Sequence, residues 1–329
     1  MSKFLITGGC GFIGSHLADA LIGRGHTVCI LDDLSTGKRE NAPASAALIV
    51  GDVADAALVK SVMSTVDGCF HLAAIASVQR SIDDWMGAHR TNLTGTISVL
   101  DAARQNPDRR VPVVYASSAA VYGDNPSTPL LESAERRPLT AYGADKLGCE
   151  QHAHVAWHVH KVSTFGMRFF NVYGPRQDPK SPYSGVISIF ADRIATQQPI
   201  TIFGDGQQVR DFVFVADVVA HLIAAMDRCQ GGAQVLNVCT GKATSVAQLA
   251  LAMGNLIGCR PEITYGAARA GDIRVSIGNP ALAVQTLGIA ATYSLVDGLR
   301  ATFDGQVSRL HRSQMGGLRH SQVFPSAGE

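Results

Sequence analysis

Apolar positions in the first half of the chain gather into short, almost continuous runs, each followed by a longer mixed stretch. The runs are "KFLIT", "TVCIL", "ALIVG", "GCFHLA" and "VPVVYAS", and a sixth, "VSTFGMRFF", follows a helical segment starting near Tyr142. Runs of this kind read as buried strands, and their alternation with helices predicts parallel βαβ units. The intervening helices are expected from about Gly11, between "ALIVG" and "GCFHLA", over a stretch ending near Gln105, and after Tyr142.

Beyond Asn171 the texture changes. "NVYGPRQDPKSPYSG" is rich in Pro, Gly and Ser, and too long for an idle turn. A domain change is placed there, giving domains of about 1–170 and 171–329. "DFVFVADVVAHLIAAMDRC" with "AQVLNVC" again reads as a strand and helix unit, so a segment of about 211–240 is expected to return to the first domain. The closing "SQMGGLRHSQVFPSAGE" has little to bury and reads as a mobile tail.

Composition narrows the partners. With 46% hydrophobic residues in 329, the chain can bury a sizeable core. Lys and Arg number 28 against 27 Asp and Glu, so no broad basic field is available for nucleic acid or an anionic membrane. Any anion must be caught locally. The opening "MSKFLITGGCGF" has no signal-peptide pattern, and no apolar stretch reaches spanning length. Seven scattered cysteines, among them Cys29, Cys69 and Cys239 inside apolar segments, read as reduced, structural and cytoplasmic.

Local anion capture has a candidate in "LITGGCGFIGSHLADAL", where Gly8, Gly11 and Gly14 fall at a strand-to-helix junction. Glycines there permit a tight turn and close approach to a pyrophosphate, with free N–H groups at the helix start facing the anion. Asp32 ends the second strand 18 residues after Gly14, the range expected for a carboxylate accepting from ribose hydroxyls. A carboxylate favours NAD over NADP, although Lys38 and Arg39 follow closely. Asp52, in "IVGDV", is placed either to accept from an adenine amino group or simply to cap a helix.

"TAYGADKLG" sets Tyr142 and Lys146 four residues apart on one helical face, a spacing that is common surface decoration by itself. Ser117 and Ser118 close the strand "VPVVYASS" at its carboxyl end, where open α/β sheets bind ligands. The histidines of "QHAHVAWHVH", at 152, 154, 158 and 160, include an i, i+4 pair suited to a metal, but no third ligand is suggested. A surface or subunit-facing helix is the better reading, and no metal is expected.

Together "TGGCGFIG", "HLAA", "VYASSAAVYG", "YGADK", "RFFNVYGPRQ", "GDGQQVRDF" and "ARAGDIR" resemble the extended short-chain dehydrogenase/reductase family, and within it the UDP-sugar 4-epimerases. The pieces fall in the family's order across about residues 3–300. Cys10 stands where the family usually has Ala, with no expected consequence beyond packing. The resemblance implies a Rossmann-type doubly wound parallel sheet of about seven strands, a smaller C-terminal α/β substrate domain, and tightly held NAD. Phe12, Ile13, Val53, Ala73 and Ala74 then line the cofactor with the glycines and Asp32. Asn92 stabilises the sheet and the active-site helix.

The resemblance also assigns chemistry. Tyr142, helped by Ser118, takes the proton of a sugar 4-hydroxyl while the C4 hydride goes to NAD, and the resulting 4-keto sugar turns over and is reduced on its other face. A tyrosine with an ordinary pKa near 10 needs about 4 kcal/mol of positive-charge stabilisation to serve near neutrality. Lys146 and the nicotinamide cation supply it. Sister dehydratases and decarboxylases commonly carry a Thr-Asp-Glu run beside the catalytic hydroxyl, whereas Ala119 and Ala120 stand here. Another nucleotide-sugar epimerase or dehydratase of the family, for example a UDP-glucuronate 4-epimerase, and a non-catalytic NAD-binding sensor remain as alternatives.

For the substrate, the resemblance places Arg210 and Arg269 on a diphosphate, Asn171 and Val186 in the pocket, Phe203 and Phe212 beside uracil, and Asp272 on a ribose hydroxyl. Ser276, four residues after Asp272, would wall the pocket beside the sugar C2 substituent and leave room for an N-acetyl group. UDP-glucose and UDP-GlcNAc, with their C4 epimers, are the expected substrates. Helices of roughly 84–105 and 142–160 are expected to pair across a two-fold axis into the four-helix bundle of a homodimer.

Overall fold

A computed structural model of the chain describes residues 1–106, 109–178, 185–268 and 272–305. Seven strands form one parallel sheet: β1 (Lys3–Thr7), β2 (Thr27–Asp32), β3 (Ala47–Val50), β4 (Gly68–His71), β5 (Val113–Ser118), β6 (Thr164–Phe169) and β7 (Ala233–Val238). Their order is β7-β6-β5-β4-β1-β2-β3, every neighbouring pair parallel. This is the doubly wound Rossmann-type α/β sheet that the alternating runs anticipate. The order reverses between β1 and β4, and open sheets of this kind bind ligands at such a switch point.

Side-chain parity divides the core into two layers. On β1, Phe4 and Ile6 join a cluster with Leu17 and Leu21 of helix α1 (Phe12–Gly23) and with Val218 and Leu222. Leu5, between them, joins Val59, Val99 and Ala153 on the opposite face. A strand buried on both faces cannot alternate apolar with polar residues, which explains the continuous runs.

β7 pairs along the whole of β6, from Ala233 opposite Thr164 to Val238 opposite Phe169. It is reached through the strand Phe212–Phe214 and the helix Val215–Asp227. A third core cluster, with Ile187, Phe190, Ile202, Leu249 and Leu299, supports three small sheets. One of them sets Val209–Arg210 between Thr244–Ser245 and Val275–Ser276.

The stretch expected as one helix over about 84–105 is divided. Trp85–His89 and Gly95–Ala103 are α-helical, and Arg90–Thr94 between them is a turn of π-helix. The later long helix runs Ala141–His160, its first turn capped by Thr140 Oγ1 accepting from Gly143 N at 3.1 Å. The tail segment beginning at Ser313 lies outside the described residues.

Candidate active site

A cavity of about 510 Å³ opens at the carboxyl ends of the strands, between the turn after β1, the loop after β4, the end of β5 and the Tyr142 helix. Gly8, Gly11, Phe12, Ile13 and Gly14 line one end. Gly8 has φ +72°, and a Cβ on it would stand 2.7 Å from Ala73 N; one on Gly14 would stand 2.2 Å from Gly8 O. Neither position admits a side chain. Gly11 caps α1 with no side-chain hydrogen bond, so the helix start is left open to an anion.

Asp32 also lines the cavity. Its Oδ2 accepts from Cys10 N and its Oδ1 from Leu34 N, both at 2.9 Å, so two backbone donors aim the carboxylate. Burial pushes its pKa up, and those two hydrogen bonds pull it back. Gly37 packs against it, where a Cβ would come within 2.8 Å of Oδ1. Lys38, one of the two cations that could have favoured a 2′-phosphate, is paired with Asp178 at 3.1 Å. The donor set fits NAD: an uncapped helix start for the pyrophosphate, and a fixed carboxylate for unmodified ribose hydroxyls.

Val53, Ala73 and Ala74 line the same cavity, whereas Asp52 and Asn92 stand behind it. Asp52 Oδ1 accepts from Ala54 N at 2.8 Å and Oδ2 pairs with Arg90 at 2.5 Å; the helix that follows, Ala56–Met63, is capped by Asp55 instead, so Asp52 closes a turn and does not serve as the helix cap that its alternative reading expected. Asn92, fully buried in the π-turn, accepts from Ile75 N at 2.8 Å and donates to Ile75 O at 3.2 Å. It thereby clamps the loop that carries Ala73 and Ala74. Its own carbonyl accepts from Thr96 Oγ1 at 2.6 Å and from Cys149 Sγ of the Tyr142 helix at 3.4 Å.

A directed chain of hydrogen bonds runs beneath these elements. Thr96 spends its proton on Asn92 O, so its oxygen accepts from His71 Nε2–H (3.0 Å). The bare Nδ1 of His71 then accepts from Thr7 Oγ1 (2.7 Å), which in turn accepts from Ala73 N (3.3 Å). Burial and the nearby Lys146 charge hold the His71 pKa down at about 3, so the imidazole stays neutral and this tautomer persists.

At the other end of the cavity stand Ser118, Tyr142 and Lys146. Lys146 is buried, donates from Nζ to Ala116 O at 2.8 Å, and holds its ammonium 5.9 Å from the Tyr142 ring centroid. Ser118 Oγ accepts from Ala120 N at 3.1 Å, which leaves its proton to give. Ser117 also borders the cavity, but its hydroxyl donates to Glu150 Oε1 at 2.6 Å. Glu150 also takes a forked pair from buried Arg168, at 2.8 and 2.7 Å, and so fastens the Tyr142 helix to β5 and β6.

Of the substrate positions, Asn171 lines the cavity, and Val186 opens the helix Val186–Ala195 beside the lining Gly185. Phe203, Phe212, Arg210 and Ser276 lie outside the lining, on strands of the small sheets, and Asp272 lies beside them. Arg210 Nη2 pairs with Asp272 Oδ1 at 2.5 Å, so two residues expected on different parts of the substrate meet each other. Ser276, 9% exposed, is the in-register partner of Arg210 across the small sheet. Arg269 lies outside the described residues.

Sequence reasoning overlooked Gly37, Gln177 and Asp211. Asp211, fully buried, accepts from Thr240 N, Thr240 Oγ1 and Gly241 N at 2.7–2.8 Å and from Gly278 N at 3.4 Å. His154 and His158 stack with centroids 6.3 Å apart, and no group of three metal-binding side chains occurs among the described residues.

A family model described as the NAD dependent epimerase/dehydratase family matches residues 4–239. A UDP-glucose 4-epimerase of Mycolicibacterium smegmatis is 36% identical over 308 residues, 92% of this chain and 97% of that protein. The crystal structure of a UDP-glucose 4-epimerase from Thermotoga maritima with UDP-glucose superposes with a TM-score of 0.89 at 34% identity, over 94% of this chain and 99% of that one. A UDP-N-acetylglucosamine 4-epimerase from Methanobrevibacter ruminantium, in complex with UDP-N-acetylmuramic acid, gives 0.88 at 32% identity, over 94% and 99%.

Proposed function

The chain belongs to the NAD-dependent epimerase/dehydratase family, and we propose that it is a UDP-hexose 4-epimerase, an isomerase acting on UDP-glucose and UDP-galactose and on UDP-GlcNAc and UDP-GalNAc. One observation carries the reading. A single cavity joins a dinucleotide-type glycine turn and Asp32 at one end to Ser118, Tyr142 and Lys146 at the other. A protein that merely sensed the nucleotide would have no use for the second group.

The Gly8–Gly14 turn and Asp32 would hold NAD, which when bound would supply the acceptor and later the donor for hydride at the sugar C4. The protein's own part is the proton and the charge. Tyr142 receives the 4-hydroxyl proton and returns it after the sugar has turned, with Ser118 donating to the sugar oxygen. Lys146, fixed by Ala116 O, holds positive charge beside Tyr142 without leaving the site. The methyl groups of Ala119 and Ala120 cannot protonate a leaving hydroxyl, which favours epimerisation over dehydration.

Arg210, with Asp272, supports a diphosphate anchor, and the small Ser276 supports tolerance of an N-acetyl group. The relatives that act on UDP-glucose and UDP-GlcNAc support both substrate pairs. We further read the protein as a homodimer through the helices around Trp85–Ala103 and Ala141–His160. Cysteines that form no disulfide support a cytoplasmic location, and among the described residues no helix is long and apolar enough to cross a membrane. The deciding experiment is NMR of purified protein with UDP-galactose, then with UDP-GalNAc. Appearance of the gluco epimers without added reductant is expected, and absence of both conversions overturns the proposal.

A further inference from the structure

The segment that follows Gly174 crosses the cofactor end of the cavity, tied on one side to α1 and on the other to the loop that follows β2. Pro175 O accepts from His16 Nε2 at 2.9 Å, and Arg176 Nη2 pairs with Asp19 Oδ2 at 2.6 Å; both partners stand on α1, within two turns of the open helix start. On the other side Asp178 Oδ2 pairs with Lys38 Nζ at 3.1 Å, in the loop that follows Asp32. The ties therefore span between the two segments expected to hold the pyrophosphate and the adenosine ribose.

Gln177, at the middle of this bridge, lines the cavity. Its Nε2 donates to Val172 O at 3.4 Å, while its Oε1 is buried and finds no partner among the described residues. Turning the amide over would set two oxygens against each other, so the orphan is an acceptor. Arg176 Nη1 is likewise buried without a partner. Arg176 also has φ +67°, a left-handed conformation uncommon for a residue with a side chain. The ties at 175, 176 and 178 hold the bridge in a shape it would not choose alone.

We infer that Pro175–Asp178 is a clasp that retains the dinucleotide, with Gln177 as a cofactor-binding residue. Gln177 Oε1 accepts from a ribose hydroxyl or from the carboxamide, because the phosphates have no proton to give. The inference rests on the NAD-binding reading above. Each exposed ion pair is weak singly and is screened by salt. Acting on one short segment, they are released together for the ligand to leave.

The test compares wild type, Lys38→Met, Arg176→Ala, the double variant and Gln177→Ala, each loaded with excess NAD and freed of unbound ligand. Content is read by chromatography after denaturation. Release is followed by diluting into a second dehydrogenase that reduces free NAD, read by absorbance, at low and high salt. Thermal melts of the apo proteins confirm folding.

Equal initial content is expected throughout. Release should be about three-fold faster in each single ion-pair variant and about ten-fold faster in the double, with wild type approaching it at high salt. Gln177→Ala should bind NAD several-fold more weakly at every salt concentration. Wild-type release rates in the folded double variant overturn the clasp, and wild-type affinity in Gln177→Ala overturns its role as a ligand. A wild-type protein that takes up no NAD overturns the cofactor reading itself, and the clasp with it.

Discussion

Ser117 and Ser118 are neighbours with opposite employment because successive strand residues face opposite ways. Both border the cavity, but the Ser117 hydroxyl is spent on Glu150 while the Ser118 hydroxyl keeps its proton to give. In the proposed mechanism Tyr142 is the partner that Ser118 serves, and Tyr142→Phe would remove its proton acceptor while keeping the ring. Its kcat should fall by at least about a thousand-fold, as general acid–base groups cost when deleted, with UDP affinity by calorimetry unchanged. Turnover near wild type would remove Tyr142 from the mechanism. Ser276 decides a different matter. Ser276→Tyr adds a ring to a position already 9% exposed and close-packed against the Arg210 strand. Turnover of UDP-GlcNAc should be lost and that of UDP-glucose kept; wild-type kcat/KM on UDP-GlcNAc would show that Ser276 is not the wall.

Between elements, the informative groups are those whose partners are far away in sequence. His71 joins β1 to the π-turn through Thr7 and Thr96. Its pKa is held down at about 3 in the fold, against about 6.5 for a free imidazole. Above that upper value neither state is charged and the contribution is complete. As pH falls, the unfolded chain takes up a proton that the fold refuses, and stability is lost at about 1.4 kcal/mol per unit. Between pH 7.5 and 5, His71→Gln should therefore lose about 2 kcal/mol less than wild type in urea unfolding, whatever its absolute stability. Equal slopes would contradict this.

Asp211 makes the same kind of link between the strands Val209–Arg210 and Phe212–Phe214, its donors lying 29, 30 and 67 residues away. Asp211→Asn turns an amide N–H₂ against backbone N–H groups and loosens the strand that carries Arg210. The KM for UDP-sugar should rise about ten-fold, with kcat and NAD content within about two-fold; a fall in kcat at unchanged KM would point elsewhere. None of this was legible in the chain. The strands were, since a twice-covered strand must be written as an unbroken apolar run, and so was the glycine turn, whose spacing is set by local geometry. A π-turn has no comparable signature, and neither the four donors on Asp211 nor the orphaned oxygen of Gln177 exists until distant segments meet.

At the scale of the whole molecule, two helical stretches lie side by side and run the same way. His89 meets Asp145 at 2.8 Å, a Cβ on Gly148 would touch Leu93 at 3.1 Å, and Thr96 meets Cys149 at 3.1 Å. Their inner faces are thus occupied with each other and with the sheet. Their outer faces carry Trp85 at 65% exposure, Met86 at 78%, Val155 at 49% and Val159 at 59%. Single exposed apolar residues need no explanation, but large ones distributed along one adjacent helix pair suit a partner, and a two-fold axis would cover them with the same face of a second copy. Sedimentation at micromolar concentration should give twice the 34.7 kDa mass of the chain. Met86→Glu with Val159→Glu, which sets charges into that face, should shift the mass toward one chain while the separately measured NAD content persists. The dimer proposal fails if wild type sediments as one chain, and this face is excluded if the double variant stays as tightly dimeric as wild type.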